Sequence, residues 1–329
     1  MALDLSELNH RTLLITGGTG MIGKWMIDLL LKDTDCRVVV TGRSEDKFRE
    51  RFAASDNLAF LKWDIAHERL PLVADPVDYI IHLASNTHPV AYATDPVSTI
   101  VMNVSATKEL LDLAVEKKCK RIVYASSVEI YGQNCGDVEK FKEDYCGYID
   151  SNTLRAGYPE SKRCGEALCQ AYIKQYGLDI VIPRIARVYG PTLQRSDTKA
   201  LSQFIFNALA GKDVVLKSEG KQHFSYLHVA DAVSGILTVM LKGENGSAYN
   251  VADDASNIRL RDLAQMIAMQ CGRKVVFEVP DATEKTGFSP ASVAVMNSDK
   301  LKSLGWKPVF GLAAGIDDTL TRMKLQNMQ

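Results

Sequence analysis

The chain predicts an α/β fold, a doubly wound parallel sheet followed by a smaller C-terminal α+β lobe, on three observations. Short, near-continuous apolar runs alternate with amphipathic helical stretches through the first half. Strands of that composition are buried on both faces, as they are when helices cross over a parallel sheet. The first strand-to-helix junction is rich in glycine. Beyond Gly190-Pro191 the alternation gives way to short mixed elements punctuated by Gly, Pro and Asp.

The first strand, Leu13–Thr16, runs straight into Gly17, Gly18, Gly20 and Gly23. A helix over 21–32 follows, with Met21, Ile22, Trp25, Met26, Leu29 and Leu30 on one face. Glycines at such a turn let the backbone bend tightly and approach a pyrophosphate, and the helix start offers N–H groups and a positive dipole end. Gly17, Gly20, Met21, Ile22 and Gly23 are therefore candidate dinucleotide-binding residues of a Rossmann-type fold. Further strands are expected at Arg37–Thr41, Ala59–Trp63, Tyr79–Leu83, Arg121–Ser126 and Ile180–Arg184, with helices at 44–54, near 96–118 and at 159–176. Ligands on such sheets bind beyond the carboxyl ends of the strands, so the residues that follow strands carry the information.

The second half reads as a polar loop, a helix at Leu201–Ala210, a short strand at Val214–Lys217, strand then helix over Leu227–Leu241, and mixed elements to the end. The expected division is a dinucleotide-binding domain over 1–190, with 226–256 packing back onto it, and a substrate lobe formed by 191–225 and 257–329. No internal repeat or low-complexity stretch interrupts the chain.

Composition fits an enzyme of this size. Hydrophobic residues at 46% and charged residues at 24% are ordinary for a soluble globular protein. A net charge of −1 gives no footprint for nucleic acid or an anionic membrane. The start carries acids rather than a signal-like apolar run, and no stretch approaches the ~20 apolar residues of a spanning helix. The seven cysteines are scattered without a Cys-x-x-Cys pair, which predicts no metal site, no disulfide framework and a reducing cytoplasm.

Two segments carry chemistry. The strand from Arg121 ends in hydroxyls at Ser126 and Ser127, and Tyr158 and Lys162 stand four apart at the start of a helix, on one face. A tyrosine with a pKa near ~10 needs a shift of about three units, or ~4 kcal/mol, to act as a base near neutrality. A neighbouring ammonium favours phenolate and is expected to supply much of it. Ser127 beside them suits the oxygen of the reacting alcohol or carbonyl.

These segments, with Trp63-Asp64-Ile65, His82-Leu-Ala-Ser85, Pro183-Arg-Ile-Ala-Arg-Val-Tyr-Gly-Pro191 and Tyr226-Leu-His-Val-Ala-Asp231, resemble the extended short-chain dehydrogenase/reductases acting on nucleotide sugars. The resemblance covers essentially the whole chain. It implies a catalytic triad of Ser127, Tyr158 and Lys162, with Lys162 also on the nicotinamide ribose. It places Asp64 and Ile65 at the adenine, Leu83, Ala84 and Ser85 along the cofactor, and Thr87 at the substrate. It also implies a homodimer through the helices near 96–118 and 159–176. Within the branch, the segments look most like the UDP-glucuronate decarboxylases, which carry Thr-Ser-Glu where this chain has Ser127-Val128-Glu129. Related 4,6-dehydratases carry Asp-Glu at positions 128 and 129. Glu129 is thus a candidate catalytic residue, with a structural role bonding nearby backbone as the alternative. Val128 has no proton to give a departing hydroxyl, so water elimination is not expected. The expected reaction is C4 epimerisation through a transient 4-keto sugar, with decarboxylation of a uronate or reduction of a 4-keto sugar as alternatives.

An acid after the second strand commonly holds the ribose of NAD, but here Thr41-Gly42-Arg43 stands there. Arg43 predicts NADP ahead of NAD, its guanidinium pairing with a 2′-phosphate. Relatives generally carry arginine at position 224 and near 285–287, gripping a diphosphate; this chain has Phe224 and neither arginine. Arg187, Arg195 and Lys199, taken as part of the loop at Tyr189-Gly-Pro191, are the candidate replacements. The remaining alternative, a silent dinucleotide-sensing member of the fold, sits poorly with retention of the full triad.

Overall fold

The computed structural model describes residues 3–87, 89–280 and 291–326. Its centre is a parallel sheet built from β1 (Thr12–Thr16), β2 (Arg37–Gly42), β3 (Leu58–Lys62), β4 (Tyr79–His82), β5 (Arg121–Tyr124), β6 (Ser126–Ser127), β7 (Ile180–Ile185) and β11 (Ala248–Val251). The order is β3-β2-β1-β4-β5-β7-β11, with β6 also on β7. This is a Rossmann-like arrangement. The side-chain period of two divides each strand between two cores. Leu13, Ile15, Val38, Val40, Ile81, Val123 and Val181 face α1 (Met21–Asp33) and α7 (Val229–Lys242). Leu14, Val39, Ile80, Ile122, Ile180 and Ile182 face α4 (Pro96–Lys117) and α5 (Gly157–Tyr176).

The strand order reverses between β1 and β4, whose carboxyl ends lie side by side with Thr16 paired to His82. The His82 ring sits between Thr16 Oγ1, at 2.7 Å, and Thr107 Oγ1, at 3.2 Å. Burial lowers its pKa to about 3, so it stays neutral and pins strand to helix.

Two expected elements differ. The strand expected over Arg121–Ser126 breaks at Ala125, and β6 continues by pairing with β7 alone. The free Ala125 carbonyl accepts from Lys162 Nζ at 2.8 Å, so the break serves the site. The helix expected over 44–54 is only α2 (Glu45–Arg51), begun by Ser44, whose side chain caps the Lys47 N–H. A short α3 (Pro89–Thr94) was not expected.

After β8 (Arg187–Tyr189), the chain forms α6 (Ala200–Leu209), β9 (Val214–Leu216) and β10 (His223–His228). β12 (Asn257–Arg259), α8 (Leu260–Gln270), β13 (Val275–Phe277), β14 (Val293–Ala294), α9 (Asp299–Ser303) and α10 (Leu312–Gln326) follow β11. β10 pairs with β8, β12 and β14 in a second sheet. Between these, α7 and β11 return to the main sheet, β11 lying in register along β7.

Candidate active site

The glycine turn is built for close backbone approach. Gly17 has φ of +71°, and a Cβ there would lie 2.8 Å from the Ala84 nitrogen. Leu83 and Ala84 are held against the turn by bonds from their N–H groups to the Thr16 carbonyl and Oγ1, at 3.2 and 3.1 Å. A Cβ on Gly23 would strike the Gly17 carbonyl at 2.5 Å, so helix and turn meet only through glycine. α1 begins at Met21 and Ile22 with no side-chain cap and no acid in its first turn. Its leading N–H groups and dipole are left for an anion, which is what a dinucleotide pyrophosphate requires. The residues fit the cofactor.

Asp64 and Ile65 follow β3; Asp64 Oδ1 accepts from the Ala66 N–H at 3.2 Å, and Ile65 packs on the core. Arg43 is exposed just beyond β2. Lys47 and Arg51, one turn apart on α2, stand near it, and sequence reading missed both. The Lys47 pKa is lowered by burial and then by the charges of Arg51 and Arg43, so the three cations stand close together.

The catalytic candidates converge at the carboxyl ends of β4 and β6. Tyr158 is buried in the first turn of α5 and Lys162 lies one turn further in. Burial pushes the Tyr158 phenol up to about 12, against hydrogen bonds with Ser127 and Ser85 and the charge of Arg155; the Glu129 charge raises it further. This differs from the expectation that Lys162 would dominate. The Lys162 ammonium donates to the Ala125 carbonyl and is itself lowered to about 8 by burial, with Glu166 opposing. Ser127 Oγ accepts from the Glu129 N–H at 3.2 Å, leaving its own proton available.

Glu129 lies beside these groups in an ionic clamp. One oxygen meets Arg155 Nη2 at 2.6 Å and the other Arg187 Nη2 at 2.9 Å. Arg155 also lies over the Tyr92 ring at 4.5 Å, and Tyr92 stacks on Tyr158 with centroids 5.0 Å apart. The Arg187 guanidinium lies 3.7 Å from the Phe224 ring centroid. Among the described residues, Arg155 Nε and Nη1 and Arg187 Nη1 are buried with no hydrogen-bond partner. Two cations face one carboxylate here, and donors remain unspent.

Arg187 is thus not part of the loop after Tyr189, as expected, but on β8, whose pairing with β10 turns it over Phe224. Lys199 and Thr87 do meet, Nζ to Oγ1 at 3.2 Å, and Lys199 is also tied to Asp197. Arg195 is exposed nearby. Positions 285–287 lie outside the described residues. Sequence reading missed Arg155 and Tyr92. Arg155 could have been suspected from its place one turn before Tyr158. Among the described residues, no group of three or more His, Cys, Asp or Glu could hold a metal, and no helix is long and apolar enough to cross a membrane.

A glycine turn at the switch point of a parallel sheet, facing a Ser-Tyr-Lys set, defines a short-chain dehydrogenase-type enzyme with a dinucleotide site. The chain belongs to the NAD dependent epimerase/dehydratase family, whose profile matches residues 13–252. It is 31% identical over 321 residues to UDP-glucuronic acid decarboxylase 1 of Danio rerio, covering 96% of this chain and 73% of that one. It is likewise 31% identical over 316 residues to UDP-glucuronic acid decarboxylase 6 of Arabidopsis thaliana, covering 94% and 87%. Among solved structures, UDP-glucuronic acid 4-epimerase from Bacillus cereus, in complex with UDP-glucuronic acid and NAD, aligns with a TM-score of 0.82 at 21% identity, over 96% of this chain and 99% of that one. The dTDP-glucose 4,6-dehydratase of Bacillus anthracis aligns at 0.78 and 21%, over 96% and 97%. At that identity these neighbours speak to fold alone.

Proposed function

We propose that this enzyme oxidises C4 of a nucleotide-linked hexuronate and that the resulting β-keto acid loses CO2. The observation that carries the reading is the pair Arg155 and Arg187, set beside Tyr158 with guanidinium N–H groups left over once Glu129 is satisfied. Buried cationic donors without an acceptor are costly, and a substrate carboxylate matches them in charge and geometry. The decarboxylase relatives support the same substrate class.

Bound cofactor would supply the hydride acceptor and return the hydride later. The chain's own residues manage the protons. Tyr158, as phenolate, takes the C4 hydroxyl proton, and Ser127 donates to the C4 oxygen as it becomes a carbonyl. The C5–C6 bond then breaks, its electrons moving onto the C4 oxygen as CO2 departs. A proton from solvent water at C5, and return of the Tyr158 proton to the C4 oxygen as hydride would return to C4, complete the cycle. Val128, 4% exposed and aliphatic, offers no acid for expelling a C6 hydroxyl.

A second reading, 4-epimerisation without CO2 loss, is favoured by one property of the same clamp. Guanidinium groups stabilise a carboxylate more than the CO2 leaving it, and so oppose decarboxylation. Incubation with UDP-glucuronate and its C4 epimer, followed by NMR, separates the two: decarboxylation yields a pentoside and dissolved CO2, epimerisation conserves mass. Neutral nucleotide hexoses are expected to give neither product nor a 6-deoxy-4-keto sugar. Turnover of neutral hexoses at rates equal to the uronates would overturn the role given to the arginines.

The cations Arg43, Lys47 and Arg51 support NADP over NAD at the adenosine ribose. Arg43→Ala is expected to weaken NADP binding by about 1.5–3 kcal/mol, the scale of a charged hydrogen bond, with little change for NAD. Equal losses for both cofactors in calorimetry would remove the 2′-phosphate from the reading. A homodimer through α4 and α5 is also proposed, since Val97 and Ile100 on α4 are exposed apolar side chains. The seven free cysteines suit a reducing cytoplasm.

A further inference from the structure

Residues 191–199, between β8 and α6, strap together three segments on the ligand edge of the main sheet. Thr192 Oγ1 donates to the Met21 carbonyl at 2.9 Å and Gln194 Nε2 to the Thr19 carbonyl at 2.7 Å. The strap thus grips the glycine turn and the start of α1. Lys47 Nζ donates to Gln194 Oε1 at 2.6 Å and Arg51 Nη2 to the Thr192 carbonyl at 3.2 Å, which ties the same two residues to α2. At the far end Lys199 Nζ reaches Thr87 Oγ1, beyond β4. Leu193, between the two bonded residues, is buried in the core and docks the strap.

The partners fix the orientation of the Gln194 amide. An ammonium only donates and a peptide carbonyl only accepts, so the amide oxygen faces Lys47 and the nitrogen faces Thr19. A carboxylate or an ammonium at position 194 would satisfy one of these partners and repel the other. We infer that Gln194, with Thr192, is a positioning residue that clasps the substrate lobe across the dinucleotide site, so that cofactor enters and leaves only when the clasp opens. A dinucleotide lying from the end of β2 across the glycine turn toward Tyr158 passes along the strap. Such enclosure suits a reaction that takes and returns one hydride, as the proposed one does. The clasp itself rests on the dinucleotide site alone.

The test is the exchange kinetics of NADH, with no sugar substrate present. Association is followed by the gain of nicotinamide fluorescence on mixing, and dissociation by its loss when excess NAD displaces the bound NADH. Gln194→Ala removes both arms of the amide, and Thr192→Val removes one hydroxyl from a side chain of the same shape. Each is expected to raise kon and koff together by about fivefold, the worth of one neutral hydrogen bond, with Kd unchanged. Opening precedes both entry and exit, so a weaker clasp speeds both. A side chain that merely touched the cofactor would raise koff alone and weaken Kd. A merely structural loop would lower Tm and leave both rates as they are. Either of those patterns overturns the inference, and Thr192→Val decides it if Gln194→Ala folds poorly. Because no sugar takes part, failure of the proposed reaction and failure of the clasp are told apart.

Discussion

Tyr158→Phe is expected to lower kcat with UDP-glucuronate by about 10²–10⁴-fold, the usual worth of a positioned general base. The substitution removes one oxygen and keeps the ring, so the stack on Tyr92 and the helix opening α5 are preserved. The glycine turn and α1 are untouched, and NAD affinity should match the wild type in calorimetry. The loss should appear equally in single-turnover measurements of nicotinamide reduction, because hydride cannot leave C4 unless the C4 oxygen gives up its proton. Retention of more than about a tenth of kcat would exclude Tyr158 as the base, given that scale. Because burial holds the phenol near 12, activity should rise with pH until a second group fails. The direction follows from the sign: phenolate is the working form, and each unit of pH below its pKa costs about tenfold in its population.

The parts of this molecule that follow from periodicity were legible in the sequence. Val38-Val39-Val40 and Ile180-Val181-Ile182 can satisfy two apolar faces only in the middle of a covered sheet, and they do. The glycine turn was legible because close approach leaves no room for a Cβ at Gly17 or Gly23. Contacts between elements were not. Arg155 and Arg187 reach Glu129 across 26 and 58 residues of sequence, and no local pattern encodes that meeting. Arg187 reads as loop in the sequence because a three-residue strand, Arg187–Tyr189, is too short to show an alternation. The break at Ala125 was invisible for a related reason. Its cause lies across the ladder on β7, where Pro183 has no N–H to give the Tyr124 carbonyl in the register that β5 and β6 share. Asn103 looked like one polar residue on a helix face; only the fold sets it between Ser85 and Ser161.

Lys162→Met is expected to abolish turnover and, at the same time, to stabilise the protein. Lys162 is 2% exposed, and its ammonium donates to the Ala125 carbonyl. Burial lowers its pKa from 10.5 to about 8, so near neutrality the folded state holds a charge that the unfolded chain holds more comfortably. The cost is about 3 kcal/mol by linkage. Methionine fills much the same volume without the charge but leaves the Ala125 carbonyl short of a donor, returning about 1–2 kcal/mol of that gain. A rise in Tm of about 2–5 °C is expected at pH 7. The sign with pH is fixed: between about 8 and 10.5 the unfolded chain keeps a proton that folded wild type has released, so wild-type stability rises and the variant's advantage shrinks. Below about 8 the advantage is constant. Melting curves across that range, with and without NAD, measure it. A Tm that falls at pH 7 would mean that the Ala125 bond outweighs the buried charge, making Lys162 a brace for the strand break as much as a group held for the reaction.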